Sequence, residues 1–242
     1  MNHQVPAFQQ SLQGNLLSRA NLLFFIREFF RECQIKPGLF IEFGVLNGDS
    51  IKQAFQILRG YIEDFIGFDT FEGIPILSDF DKQCNMLHPR FIEGNYKSMD
   101  MKLVQDALIS SGIKSEHLRL YKKDIRQIGK HELESILKEF NLLPRIIHLD
   151  VDLHSSTLAA LKLITPLVPS GSWFLFDDFY CYQGSPFCGV QKAISDYCAE
   201  NLNVKFVPYS NYNGWGKAFI FHVSPDRATI NDTGKQELCK RL

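Results

Sequence analysis

The chain has 242 residues, 45% of them hydrophobic and 22% charged, with a formal net charge of -1. That balance suits one large α/β domain that buries its core without disulfides or structural metal. It excludes a strongly basic nucleic-acid binder, and no apolar run approaches the ~20 residues of a membrane span.

The polar stretch to about Gly14 reads as loosely ordered, and Leu16 to Cys33 carries apolar groups at helical spacing. After the Pro37-Gly38 turn, LFIEFGV (Leu39 to Val45) reads as a buried strand and Ser50 to Leu58 as a helix with Asp49 or Ser50 near its start. FIGFDTF (Phe65 to Phe71) is a second strand. Gly73 to Tyr96, broken by Pro75 and Pro89, reads as an excursion or lid. Asp100 to Ser110 (helix), Leu118 to Asp124 (strand), His131 to Phe140 (helix) and Arg145 to Asp152 (strand) follow. Ser156 to Leu167 is a helix, Ser172 to Asp178 a strand and Gly189 to Asn201 a helix, and Val204 to Pro208 and Lys217 to Val223 are the closing strands. Strand and helix alternate, so the fold expected is a Rossmann-like, seven-stranded, mainly parallel sheet with helices on both faces. The last two strands lack a helix between them, which predicts an antiparallel last strand. One domain spans residues 1–242.

Six cysteines (Cys33, Cys84, Cys181, Cys188, Cys198 and Cys239) form no CxxC pair, which argues against a zinc cluster. With no secretory pattern at the N-terminus, they predict reduced thiols and a cytoplasmic protein.

The first strand runs into Glu42-Phe43-Gly44-Val45-Leu46-Asn47-Gly48-Asp49-Ser50. Gly44 and Gly48 let the backbone pass close to a ligand at the carboxyl end of a parallel strand, where such sheets bind ligands. The alternative is a tight turn that binds nothing. The loop lacks the G-x-G-x-x-G of a dinucleotide fold, which disfavours a nicotinamide oxidoreductase. It suits a ligand with a sulfonium and an ammonium group, and Glu42 could accept from that ammonium or stand as a solvated loop carboxylate. Asp69, ending the second strand, could accept both hydroxyls of a ribose or merely signal a turn. Asp124 lies near the adenine or on the surface. The cofactor set is then Glu42, Gly44, Val45, Gly48, Ser50, Asp69, Thr70 and Asp124.

The acidic ends of two neighbouring strands are more informative. Asp150 and Asp152 close IIHLDVD, and Asp177 and Asp178 close WFLFDD. Sequential parallel strands usually pair, so these carboxylates should share one crevice. Bare carboxylates so placed repel one another. A hard divalent cation removes the conflict, and oxygen ligands favour Mg²⁺, Ca²⁺ or Mn²⁺ over zinc. The alternative is that one Asp faces the crevice while the rest cap helices. His148, inside an apolar strand, reads as a satisfied core histidine.

The segments IEFGVLNGDS, FDTFEGIP, IHLDVDLHSSTLAALKLITPLVPSGSWFLFDD and GVQKAISDY, spread from about Phe40 to Phe221, resemble the macrocin O-methyltransferase family of class I methyltransferases. That family methylates sugar hydroxyls of macrolide and aminocoumarin antibiotics. The resemblance implies methyl transfer from S-adenosylmethionine to a hydroxyl, dependent on magnesium or manganese. It places metal carboxylates on Asp150, Asp177 and Asp178 and the ribose contact on Asp69. A Tyr common in the family is His154 here, and the Lys that catechol O-methyltransferases carry after the first metal Asp is Leu153. Asp150 is thus the first candidate for proton acceptor, with Asp152 and His154 beside it. The segment Gly73 to Tyr96, with Tyr180, Tyr182, Tyr209 and Tyr212, is expected to cover the acceptor. That acceptor is a hydroxyl-bearing small molecule such as a sugar or polyketide, with no nucleic acid or membrane partner and with room for a homo-oligomer. The rival readings are a metal-independent methyltransferase of the same fold, in which activity survives a chelator, and a non-catalytic S-adenosylmethionine-binding module.

Overall fold

The computed structural model describes residues 17–224. The polar stretch to Gly14 and Cys239 lie outside them. Strands β1 (Gly38–Phe43), β2 (Ile62–Asp69), β3 (Leu118–Lys122), β4 (Pro144–Leu149), β5 (Ser172–Phe176), β6 (Val204–Tyr212) and β7 (Gly216–Val223) form one sheet in the order β3-β2-β1-β4-β5-β7-β6. The first five are parallel, and β7 runs antiparallel to both β5 and β6. The expected Rossmann-like sheet with helices on both faces and an antiparallel last strand is what the chain adopts. Chain order reverses on the two sides of β1, so β1 and β4 flank the switch point where such sheets bind ligands.

The pleat divides the core in two, because successive side chains leave a strand on opposite faces. Leu39, Ile41 and Phe43 of β1 pack with Ile147, Leu149, Phe174 and Phe176 against α5 (Lys130–Lys138), α6 (His154–Ile164) and α7 (Gly189–Glu200). Phe40, Phe65, Ile146, Trp173 and Leu175 face the other way, against α1 (Arg19–Glu32), α2 (Asp49–Ile57) and α4 (Met101–Ser110). Local chemistry sets several helix starts. Ser18 accepts from the Asn21 backbone N–H (3.1 Å) at the head of α1, and Asp100 from that of Lys102 (2.8 Å) at the head of α4, as N-caps do.

The excursion between β2 and α4 is folded rather than irregular. It holds a short helix, α3 (Asp79–Cys84), started by a capping box between Ser78 and the buried Asp81. Ile74 and Gly94–Asn95 exchange backbone hydrogen bonds that close its neck (2.8 and 2.9 Å). Ile74, Leu77, Cys84 and Phe91 form a small core of their own with Leu153 and Tyr182. Asp81 also accepts from the Ser155 backbone N–H (3.3 Å), which ties the excursion to the start of α6. The five described cysteines are free thiols, and no helix among the described residues is long and apolar enough to cross a membrane.

One close approach fixes the loop after β1. Gly44 has φ +87°, and a Cβ there would stand 1.8 Å from the Asp150 carbonyl oxygen. Gly60 also has a positive φ (+83°) but nothing within 4 Å of a Cβ. Gly60→Ala should therefore cost only the left-handed backbone penalty of about 1–2 kcal/mol, a few degrees in Tm. Gly44→Ala should melt at least ~10 °C below Gly60→Ala or fail to fold, since backbone must move. Matching thermal melts of the two variants would show that β1 and β4 do not approach this closely.

Candidate active site

A cleft of about 420 Å³ opens over the carboxyl ends of β1, β2, β4 and β5. Gly44, Asp69, Thr70, Asp124, Asp150, Asp152, Asp177 and Asp178 all line it, so most of the residues singled out in the sequence meet in one place. Glu42, Val45, Gly48, Ser50 and His154 do not line it.

At the β1 side, Asp69 organises the glycine loop. Its Oδ2 accepts from the backbone N–H groups of Val45 (2.7 Å) and Leu46 (2.8 Å), and its Oδ1 from Phe71 (2.6 Å). A carboxylate offers about four lone-pair positions, so Asp69 retains about one for a ligand. A two-hydroxyl contact would require it to release part of the loop. Leu46 and Phe71 have φ of 49° and 55°, conformations that these bonds help hold. Thr70 donates to the Gly73 carbonyl (2.7 Å) and so faces its own turn. Asp124 lines the cleft with a carboxylate that Arg126 grips through Nε and Nη2 (3.0 and 2.6 Å), and Arg126 Nη1 donates to Ile76 O (2.7 Å). It thereby anchors the excursion instead of standing free on the surface.

At the β4 and β5 side the acids crowd. The strands end at Leu149 and Phe176, short of the expected ends at Asp152 and Asp178, so the carboxylates stand on the loops that follow. Ligand atoms of Asp150, Asp152 and Asp178 lie within 4.8 Å of one another, and those of His148, Asp150 and Asp177 do likewise. Asp152 is set at φ 58°, a left-handed conformation uncommon outside glycine.

These groups do not titrate alike. Burial, then repulsion from Asp177 and Asp178, pushes Asp150 well above the ordinary carboxylate range. Burial and Asp150 push Asp152 up to about 8. Burial, Asp152 and Asp177 raise Asp178. Asp177 goes the other way, for although burial opposes it, the His148 ring and the Arg19 guanidinium (3.9 Å) hold it low. Burial alone would lower His148, but Asp177 and Glu42 keep it up at about 10. One oxygen each of Asp177 and Asp178 is buried without a hydrogen-bond partner. Unsatisfied acceptors beside mutually repelling acids are a donor set that suits a hard divalent cation.

Three expectations are corrected. Glu42, expected to accept from the cofactor's ammonium or to stand as a solvated loop carboxylate, is fully buried away from the cleft, accepting from the Ser50 hydroxyl and from His148 Nδ1 (2.6 Å). His154 opens α6 and turns away from the acids, with Nε2 on Asp196 of α7 (2.9 Å) and its ring against Phe80 (4.6 Å between centroids). Of the tyrosines expected over the acceptor, Tyr182 is sealed in the excursion's core and Tyr212 lies wholly buried behind Asp177. Tyr209 packs on Trp173 (4.6 Å), and Tyr180 reaches Asn211 (3.1 Å). The acceptor side of the cleft is instead walled by His88, Arg90, Phe91, Tyr96, Cys181 and Trp215. His88, Arg90, Phe91 and Tyr96 belong to the excursion Gly73 to Tyr96 that was expected to cover the acceptor. Cys181 and Trp215 are single loop residues whose exposure toward a cleft follows from the path of the chain.

The family model of macrocin O-methyltransferases (TylF) matches residues 25–205. The chain belongs to that family. It is a methyltransferase. No curated protein is a significant sequence match. Among solved structures, the calicheamicin methyltransferase CalS11 superposes with a TM-score of 0.64 at 20% identity, covering 90% of this chain and 87% of that one. The O-methyltransferase NovP superposes at 0.59 and 17% identity, covering 84% and 78%. At these identities the likeness speaks for the fold, and the family assignment rests on the sequence model.

Asp152 holds its proton more tightly folded than unfolded. The stability it contributes is therefore present below the ordinary carboxylate range and lost as pH rises toward about 8. Asp152→Asn removes that loss. In chelator-treated protein, Tm of the wild type should fall between pH 5 and pH 8 by at least ~3 °C more than Tm of Asp152→Asn, roughly 1 kcal/mol for a chain this size. Parallel pH profiles would mean that the Asp152 carboxyl is not set against its acidic neighbours.

Proposed function

We propose that this protein transfers a methyl group from S-adenosylmethionine to a hydroxyl oxygen of a small molecule, with a divalent cation, Mg²⁺ or Mn²⁺, held by Asp150, Asp177 and Asp178. The observation that carries the proposal is the meeting of two half-sites in one cleft: the Gly44 loop with Asp69, and the acids at the ends of β4 and β5. S-adenosylmethionine supplies the methyl as a sulfonium, already a strong electrophile. The cation supplies Lewis acidity toward the acceptor oxygen.

The chain's own residues then have four tasks. The backbone of the Gly44 loop, shaped by Asp69, gives the cofactor a close-fitting floor. Asp69 keeps about one acceptor position for a ribose hydroxyl. Asp152 lines the cleft and, in the ionised form that a cation offsetting its acidic neighbours would favour, takes the acceptor's proton. It replaces Asp150 as the leading acid for this task because Asp150 belongs to both acidic groupings and so lies at the centre of the cation site. The aromatic wall of Phe91, Tyr96 and Trp215 excludes water and receives the apolar face of the acceptor. CalS11 is described as a TDP-rhamnose 3'-O-methyltransferase of calicheamicin biosynthesis. A sugar or natural-product hydroxyl is the acceptor class proposed here as well.

Calorimetry with S-adenosylmethionine, with and without Mg²⁺, tests both half-sites. Asp69→Ala should weaken the cofactor at least ~10-fold, the loss of a charged hydrogen bond worth about 1.5–3 kcal/mol. Unchanged affinity in a folded variant removes Asp69 from the cofactor site. Asp177→Asn should lose the cation and keep cofactor affinity, whereas a variant that still titrates Mg²⁺ like the wild type excludes Asp177 as a ligand. In an acceptor screen, Asp152→Asn should turn over ~10²-fold more slowly, the lower range of a general-base effect. Full turnover in the presence of a chelator would transfer the protein to the metal-independent reading.

A further inference from the structure

The tasks above leave a charged pair inside the sheet without a purpose. Glu42 of β1 and His148 of β4 are register partners on adjacent strands, and both side chains are wholly buried. Apolar residues of similar size would hold the sheet at least as well, since a buried ion pair often stabilises less than its hydrophobic replacement. The pair is connected at both ends. Glu42 Oε1 accepts from Ser50 Oγ in the first turn of α2 as well as from His148 Nδ1 (2.6 Å). The other ring nitrogen, Nε2, lies 3.7 Å from Asp177 Oδ1, and each of these two atoms is buried with no hydrogen-bond partner. Two unsatisfied polar atoms facing one another across an ion-pair distance are costly unless they serve each other. Glu42 fixes the ring because a carboxylate only accepts, so Nδ1 carries hydrogen and Nε2 is turned toward Asp177.

We propose that His148 is a positioning residue for the cation site: braced by Glu42, it holds one oxygen of Asp177 and leaves the other free to ligate. The inference rests on the proposed metal reading and deepens it. Asp177 is approached by Arg19 (3.9 Å) and Tyr212 as well as by His148, whereas Asp150, Asp152 and Asp178 chiefly face one another. His148 thus anchors Asp177 from behind, as the Cys181 thiol does for Asp178 Oδ1 (3.1 Å) on the other side. An outer-shell partner of this kind sets ligand orientation, and its loss weakens ion binding without touching the ligands themselves.

The test is Mn²⁺ binding by calorimetry, with Mn²⁺ alone and no turnover involved. His148→Phe should weaken Mn²⁺ by ~10–100-fold, the usual effect of losing an outer-shell partner. S-adenosylmethionine affinity should stay within about 3-fold of wild type, a difference of under 1 kcal/mol. Glu42→Gln keeps an oxygen acceptor for Nδ1 and should retain Mn²⁺ affinity to within about 3-fold. If His148→Phe does not fold because Glu42 is left unpaired, the double variant Glu42→Gln/His148→Phe removes both charges and is expected to show the same Mn²⁺ loss. A folded variant lacking His148 that binds Mn²⁺ like the wild type overturns the inference and leaves the metal site standing. A wild type that binds no Mn²⁺ overturns the metal reading itself, and the inference with it.

Discussion

Everything at this site answers to one electrostatic conflict: four aspartates brought to the ends of two adjacent parallel strands and crowded in one cleft. Like charges at such separations cannot all ionise unless something compensates them. The fold resolves the conflict unevenly. Asp177 is met by His148, Arg19 and Tyr212 and stays ionised, while Asp150, Asp152 and Asp178 are driven toward their neutral forms. Neighbouring groups produce this division, for Asp177 Oδ1 lies 3.7 Å from His148 Nε2 and 3.9 Å from the Arg19 guanidinium, whereas Asp150, Asp152 and Asp178 are crowded by other acids.

The other half of the cleft is held by backbone rather than by charge. Asp69 spends most of its acceptor capacity on the loop after β1, and Gly44 lets that loop pass against the Asp150 carbonyl. The acidic cluster and the glycine loop therefore touch through main chain. A substitution at Gly44 would disturb both half-sites together. This is the physical reason for treating the two as one site, independent of any comparison with other proteins.

The excursion between β2 and α4 forms one wall of the cleft. It is fastened at three places, by Arg126 to Ile76, by Asp81 to Ser155, and by its own core against Leu153 and Tyr182. Fastened so, it presents His88, Arg90, Phe91 and Tyr96 to the cleft as a fixed wall. A wall of this kind gives a cleft its shape and an aromatic surface for stacking.

The sequence by itself determined the strand order and every helix but the short α3, the antiparallel last strand, the glycine loop and the convergence of the two acid runs. These are local or near-neighbour properties, set by the period of apolar residues, by turn chemistry, and by the rule that sequential parallel strands pair. What only the tertiary structure decided is which way individual side chains face once elements from distant parts of the chain meet. Glu42 and His148 read in sequence as an acceptor for the cofactor's ammonium and a core histidine. Their pairing depends on the register of β1 against β4, across more than a hundred intervening residues. His154 sits two residues from Asp152, yet a helix begins at it and turns its ring toward Asp196. Tyr182 and Tyr212, promising as pocket residues by type, are drawn inward because burying a large ring outweighs exposing it at a cleft. Sequence spacing fixes position along the chain, but the direction of a side chain is set by the partners that packing provides.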